Sequence, residues 1–254
     1  RKKAYVIAEV GSNHNGDLRL AKELIDKAKE CGADAVKFQS WDTKLFSKKV
    51  YQDNYFLGDD YRNRKDYSLK EIVEKFALNK KQLFNLKLYC EKKKIQFCTT
   101  PFSEEQVKDI KEFKVPFIKI ASMDITNPRI LKEASKTGLY IILSTGFSSI
   151  LEISRAIEYI LKHGNKKICL LHCIGLYPPP SDTLINLNNI KMLKTTFGFP
   201  VGYSDHTLGT EISIAAISLG AKVIEKHFTL DKKMFGWDHH MSITPDELNV
   251  ICKA

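Results

Sequence analysis

A (β/α)8 barrel, formed as a single α/β domain over residues 1–254, is the fold class this sequence predicts. The length matches one eight-fold barrel. Short β-branched runs alternate with helix-period segments from end to end, the pattern of parallel strands joined by right-handed helical crossovers. Neither a Walker loop nor GxGxxG occurs, so closure is favoured over an open doubly wound sheet, the runner-up.

Eight strands are predicted at 5–10, 35–40, 95–100, 116–122, 139–145, 167–173, 200–204 and 222–228. Helical patterns such as 18–31, 81–93 and 151–162 fall between them. Several end on a glycine able to take the left-handed C-terminal conformation: Gly32, Gly138, Gly164, Gly198 and Gly220. The last helix begins at Thr244 as N-cap with Pro245 at its first position. Residues 41–79, rich in Tyr, Asp and Lys, are too long for a plain βα loop and are expected to form a lid or binding loop at the catalytic face.

Hydrophobic residues at 43% and charged residues at 28% supply an ordinary globular core. The formal net charge of +10 comes mainly from lysines on helix faces (Lys80, Lys81, Lys87, Lys92, Lys93, Lys94), and no basic run is interleaved with aromatics. A solvated helix surface explains this better than nucleic acid. The six cysteines show no CxxC or disulfide-framework spacing, which points to buried free thiols in a reducing compartment and to the cytoplasm. No apolar run approaches the roughly 18 residues of a membrane span, so no membrane partner is expected.

In such a barrel the chemistry sits at the C-terminal strand ends. There the sequence places Glu9-Val-Gly-Ser-Asn-His-Asn-Gly16, Lys37-Phe-Gln39, Thr99-Thr100, Lys119-Ile-Ala-Ser122-Met-Asp124, Ser144, Ser204-Asp-His206 and Glu225-Lys-His227. Strand side chains alternate, so Lys37 shares a face with Gln39, Ser204 with His206, and Glu225 with His227. Two neutral imidazoles on adjacent strands, His206 and His227, suit one Mn2+, Zn2+ or Fe2+; hydrogen-bonded structural histidines are the alternative. Lys37 and Lys119 are costly to bury without an anion. Either they clamp a phosphate or carboxylate, helped by the hydroxyls of Thr100, Ser122, Ser144 and Ser204, or they pair internally with Glu9 or Glu225. His14 reads as a loop-orienting hydrogen bonder and His172 as a packed core histidine. His239 and His240, in the last loop, read as exposed.

Ala8-Glu-Val-Gly-Ser-Asn-His-Asn-Gly16, Ala35-Val-Lys-Phe-Gln39, Gly202-Tyr-Ser-Asp-His-Thr207 and Ile224-Glu-Lys-His-Phe-Thr-Leu-Asp231 together resemble the N-acetylneuraminate (sialic acid) synthase family, which includes the legionaminic and pseudaminic acid synthases. The resemblance runs over nearly the whole chain. It implies condensation of phosphoenolpyruvate with an N-acetylmannosamine-type sugar, a homodimer in the full-length protein, and a divalent metal, usually Mn2+, held by His206 and His227. It further implies that Lys37, Thr100, Lys119, Ser122, Ser144 and Ser204 bind phosphoenolpyruvate and that Glu9, Gln39, Tyr177 and Asp238 meet the acceptor. Asp124 stands where a carboxylate assists the water at the metal, and Glu9 is the general acid/base candidate.

Two departures stand out. Gly175-Leu-Tyr-Pro178 lacks the asparagine common just before this segment, and the small antifreeze-like C-terminal domain of the family is not within the 254 residues. Competing readings are a synthase acting on a phosphorylated aldose, a non-catalytic sugar- or anion-binding barrel in polysaccharide assembly, and a basic nucleic-acid binder.

Overall fold

The computed structural model describes residues 3–53 and 68–254. Its eight strands are β1 (Tyr5–Gly11), β2 (Ala35–Ser40), β3 (Gln96–Pro101), β4 (Phe117–Ile120), β5 (Tyr140–Ser144), β6 (Ile168–Cys173), β7 (Val201–Asp205) and β8 (Val223–His227). All ladders are parallel, in the order β3-β2-β1-β8-β7-β6-β5-β4. β3 and β4 lie side by side at the seam, where the Cys98 thiol donates to the Phe117 carbonyl at 3.4 Å, and the barrel is nearly closed. The helices are α1 (Leu18–Glu30), α2 (Lys48–Asp53), α3 (Leu69–Phe76), α4 (Lys80–Lys93), α5 (Glu104–Phe113), α6 (Pro128–Lys136), α7 (Ile150–Lys162), α8 (Asn188–Phe197), α9 (Glu211–Ser218) and α10 (Pro245–Lys253).

The side-chain alternation of the strands sorts the barrel into two environments. Inward-facing Ile7, Ala35, Cys98, Phe117, Ile142, Cys169, Leu171 and Val223 form an apolar plug. Two residues further along the same faces come Glu9, Lys37, Thr100, Lys119, Ser144, Cys173 and Glu225, all buried and mostly polar. The plug thus floors a polar chamber at the C-terminal ends. Gly202 completes it, because a Cβ there would lie 2.4 Å from the Val223 carbonyl oxygen and 2.7 Å from Leu171 Cδ2. Outward-facing residues such as Val36, Phe38, Leu143, Leu170 and Tyr203 pack against the helical shell.

The structure refines several expectations. All five helix-ending glycines take positive φ, and Thr244 with Glu247 forms a reciprocal cap at the start of α10. The fourth strand stops at Ile120, because Ser122–Asp124 turn into a short 3-10 helix. The long connection 41–79 contains α2 and α3 rather than loop alone, and its residues 54–67 lie outside those described. Ser68 and Glu71 form a capping box that starts α3. Trp41 and Phe76, at either end of the segment, pack on Trp237 from the β8 loop, with ring centroids 5.3 and 6.2 Å away. All six cysteines are free and five are buried. Among the described residues no helix is long and apolar enough to cross a membrane.

Candidate active site

Four buried charges form the chamber's base. Lys37 Nζ lies 2.7 Å from Glu9 Oε2 and 3.7 Å from Glu225 Oε2, and donates to Thr100 Oγ1 at 2.9 Å. Lys119 Nζ lies 3.5 Å from Glu225 Oε1, which also accepts from Ser204 Oγ at 2.9 Å. The parallel register explains the grouping: Glu9 is level with Lys37, and Ser204 with Glu225. Both lysines are therefore ion-paired inside the barrel, as the internal-pair reading required. Gln39 Nε2 donates to Glu9 Oε1 at 3.2 Å.

Burial pushes Glu9 up to about 7, against the lowering pull of Lys37. For Glu225 burial also opposes the charge, but Lys119 and Lys37 outweigh it and hold the carboxyl below its ordinary value. Burial opposes the charge on Lys37, while Glu225 and Glu9 more than restore it. Glu9 is thus the member of the group that gains or loses a proton near neutrality. Opposite, Ser144 Oγ is buried with no hydrogen-bond partner among the described residues. The Ser122 hydroxyl accepts from the Gly146 amide at 3.0 Å and lies 3.9 Å from Cys173 Sγ.

His206 and His227 stand at the open end with ring centroids 5.6 Å apart, and Tyr177 stacks on His206 at 3.9 Å. His206 Nδ1 donates to the Ile174 carbonyl at 2.6 Å, which fixes the tautomer and leaves Nε2 as the electron-pair donor. Burial opposes a proton on His206, but the neighbouring Cys173 sulfur and the Ile174 carbonyl favour one and raise its pKa; a cation at Nε2 would compete with that proton. His227 is driven well below its ordinary value, first by burial and then by His206, so it is neutral. Its Nδ1 is buried without a hydrogen bond, and Asp238 Oδ2 lies 3.5 Å away. Among the described residues no cluster of three or more His, Cys, Asp or Glu side chains is arranged to hold a metal, so a divalent cation here would have these two imidazoles as its protein ligands and take its other ligands from substrate or water.

Other polar residues lie around this group. Asp124 sits in the 3-10 turn beyond β4, where Oδ1 accepts from Asn127 at 3.1 Å and Oδ2 is buried without a partner; burial raises its pKa. His14 accepts from the Gly16 amide at 3.0 Å, and His172 is buried with Nε2 2.6 Å from the Ile185 carbonyl, matching their structural readings. His240 is exposed. His239 corrects the sequence reading: it is fully buried, with Nδ1 2.6 Å from Thr229 Oγ1 and Nε2 3.2 Å from Asn15 Oδ1, because the last loop folds back onto the β1 loop. Two charged residues escaped the sequence reading, Asp205 and Lys226. They form a buried 2.7 Å ion pair on the outer face of β7 and β8, and a lysine one residue out of phase with the inward-facing set was the available signal.

Residues 24–254 match the sequence profile of the NeuB family. The chain belongs to that family. It is 46% identical over 254 residues to the N,N'-diacetyllegionaminic acid synthase of Campylobacter jejuni, covering 99% of this chain and 75% of that protein. It is 35% identical to the N-acetylneuraminate-9-phosphate synthase of Drosophila melanogaster, covering 98% of this chain and 66% of that one. Among solved structures, the sialic acid synthetase of Leptospira borgpetersenii superposes with a TM-score of 0.87 at 36% identity, over 99% of this chain and 82% of that chain. NeuB relatives with named activities are synthases, and this chain is an enzyme of that condensing-transferase class.

Proposed function

We propose that this NeuB-family barrel condenses phosphoenolpyruvate with an N-acetylmannosamine-type sugar to give a sialic-acid-like nonulosonic acid and inorganic phosphate. The observation that carries the proposal is the chamber itself. Lys37, Lys119 and the hydroxyls of Thr100, Ser144 and Ser204 converge on one buried face, with the two histidines above them. Such a set suits a small, multiply charged anion beneath an aldehyde.

Phosphoenolpyruvate is held by Lys37, Lys119, Thr100, Ser122, Ser144 and Ser204. Its arrival brings negative charge beside Glu9, whose pKa of about 7 lets it take a proton and release Lys37 to the ligand. His206 and His227 would hold a divalent cation such as Mn2+, which would supply Lewis-acid polarisation of the sugar's C1 aldehyde. C3 of the enol phosphate bonds to C1, the aldehyde oxygen gains a proton, and positive charge develops at C2. Water then bonds to C2 and loses a proton, and the tetrahedral intermediate expels phosphate by breaking the C2–O bond. Glu9, protonated as the ligand binds, gives its proton to the aldehyde oxygen, with Gln39 orienting it through the 3.2 Å bond, and the proton of the new C2 hydroxyl leaves with the phosphate. Asp124, with its burial-raised pKa, receives the proton of the attacking water, while Tyr177 and Asp238 border the acceptor.

The 46% identity to the legionaminic acid synthase, against 35% to the 9-phosphate synthase, favours a diacetamido acceptor over a phosphorylated one. The test is incubation with phosphoenolpyruvate, Mn2+ and, in separate reactions, N-acetylmannosamine, its 6-phosphate and 2,4-diacetamido-2,4,6-trideoxyhexoses, with products identified by mass. A nonulosonic acid formed in step with phosphate supports the proposal. Consumption of none of the sugars refutes it.

A further inference from the structure

We infer that Asp205 and Lys226 are positioning residues that set the spacing of His206 and His227, and through it the affinity of the site for its cation. The inference rests on the proposal that those histidines hold a divalent metal. It starts from where the β7–β8 ladder ends: Tyr203 pairs with Ile224, Ser204 with Glu225 and Asp205 with Lys226, and there the pairing stops. His206 and His227 each lie one residue beyond the last pair. No ladder pair between the two strands joins His206 to His227, and the turn from His206 onward lies beyond the last pair, whereas His227 is paired with Glu9 on β1.

Side chains take over at that point. Lys226 Nζ donates to Asp205 Oδ2 and to the Thr207 carbonyl, both at 2.7 Å, so the residues on either side of His206 are tied to the residue preceding His227. Asp205 binds its own turn as well. Oδ1 accepts from the Thr207 amide at 2.9 Å and the Thr207 hydroxyl at 2.7 Å, and Oδ2 also accepts from Ser213 on α9 at 2.6 Å. Four donors thus converge on one carboxylate whose residue is 1% exposed. Asparagine could not replace it, because its amide nitrogen would meet donors.

The arrangement is poorly explained as a stability device. A buried ion pair is often no better for stability than well-packed apolar residues of similar volume. Both charges face the helical shell, away from the chamber, and neither reaches the reacting atoms. What the pair fixes is local: the turn carrying His206, against the strand carrying His227. Groups that orient metal-binding histidines typically alter metal affinity 10- to 100-fold when removed.

The test uses the full chain without metal and two variants, Asp205→Asn and Lys226→Met, alongside His206→Ala. Mn2+ affinity is measured from the electron paramagnetic resonance signal of the free aqua ion. Phosphoenolpyruvate affinity is measured calorimetrically without metal, and amide hydrogen exchange at Thr207 is followed in the metal-free protein. The inference expects a Mn2+ Kd raised roughly 10- to 100-fold in the folded variants, faster exchange at Thr207, and a phosphoenolpyruvate Kd within about twofold of the parent. Where Lys226→Met does not fold, the near-isosteric Asp205→Asn decides. Unchanged Mn2+ affinity in Asp205→Asn, with His206→Ala losing its metal, overturns the positioning role and leaves the metal site standing. An equal weakening of both ligands also overturns it, as the mark of general destabilisation. Retained Mn2+ affinity in His206→Ala overturns the metal reading and this inference with it.

Discussion

Replacing Lys37 with methionine should cost little stability in mild acid and progressively more as the pH rises. Removing one partner of a buried ion pair ordinarily costs about 3–5 kcal/mol, because the other charge is stranded. Here the stranded group can be neutralised. Glu9 is already raised from 4.5 to about 7, and Glu225 keeps Lys119 at 3.5 Å and Ser204 at 2.9 Å. Because Glu9's folded pKa lies above its unfolded value, its favourable contribution is whole below the unfolded value and is lost as the pH rises to about 7, a total of about 3 kcal/mol. Without Lys37 the folded pKa moves higher still, so the loss continues past neutrality at up to about 1.4 kcal/mol per pH unit. At pH ~6 Glu9 is mostly neutral in both proteins, and the difference should stay below about 1 kcal/mol. Urea unfolding of parent and Lys37→Met between roughly pH 6 and pH 9 measures this. A loss of about 3–5 kcal/mol that is the same at every pH would refute the assigned coupling of Glu9 to Lys37.

Alanine at His206 or His227 should abolish Mn2+ binding in equilibrium dialysis while leaving the circular dichroism spectrum intact, since both residues sit at the rim above the apolar plug; full metal occupancy in either would contradict the assignment. Gly202→Ala should destabilise the barrel by about 1–3 kcal/mol through overpacking against the Val223 carbonyl and Leu171, read as a lowered urea midpoint. His14 and His239 are held neutral by burial with pKa values of about 4, below the ordinary 6.5. In the folded protein these depressed values make stability complete above about pH 6.5 and cost up to about 3 kcal/mol for each histidine as the pH falls toward 4. Alanine at either position should flatten that part of the stability-against-pH curve, and an unchanged slope would show that the buried imidazole is not responsible.

What could be read from the sequence followed from the period of two along each strand. Once Ile7 or Val223 is assigned inward, Glu9 and Glu225 must follow two residues later, and the same counting places Lys37 above Ala35 and His206 above Ser204. The eight strands and the chamber's composition were legible for that reason. Pairing between strands was not, because whether Lys37 meets Glu9 or Glu225 depends on ladder register, and it meets both. The setting of Asp124 was not legible, because the fourth strand breaks at Ile120 into a turn that ties one carboxylate oxygen to Asn127 and leaves the other buried without a partner. His239 looked exposed because loop composition does not show that Thr229 and Asn15 close over it. Asp205 and Lys226 went unread because an outward-facing pair becomes informative only once the end of the β7–β8 ladder is known.

The central claim is condensation with cleavage of the C–O bond of phosphoenolpyruvate, and the fate of its bridging oxygen tests it most directly. With 18O at that position, Mn2+ and the accepted sugar present, the account expects a nonulosonic acid free of label and all the label in inorganic phosphate, because C2 takes its new oxygen from water. Label retained in the sugar acid, or phosphate released without any sugar acid, would contradict it.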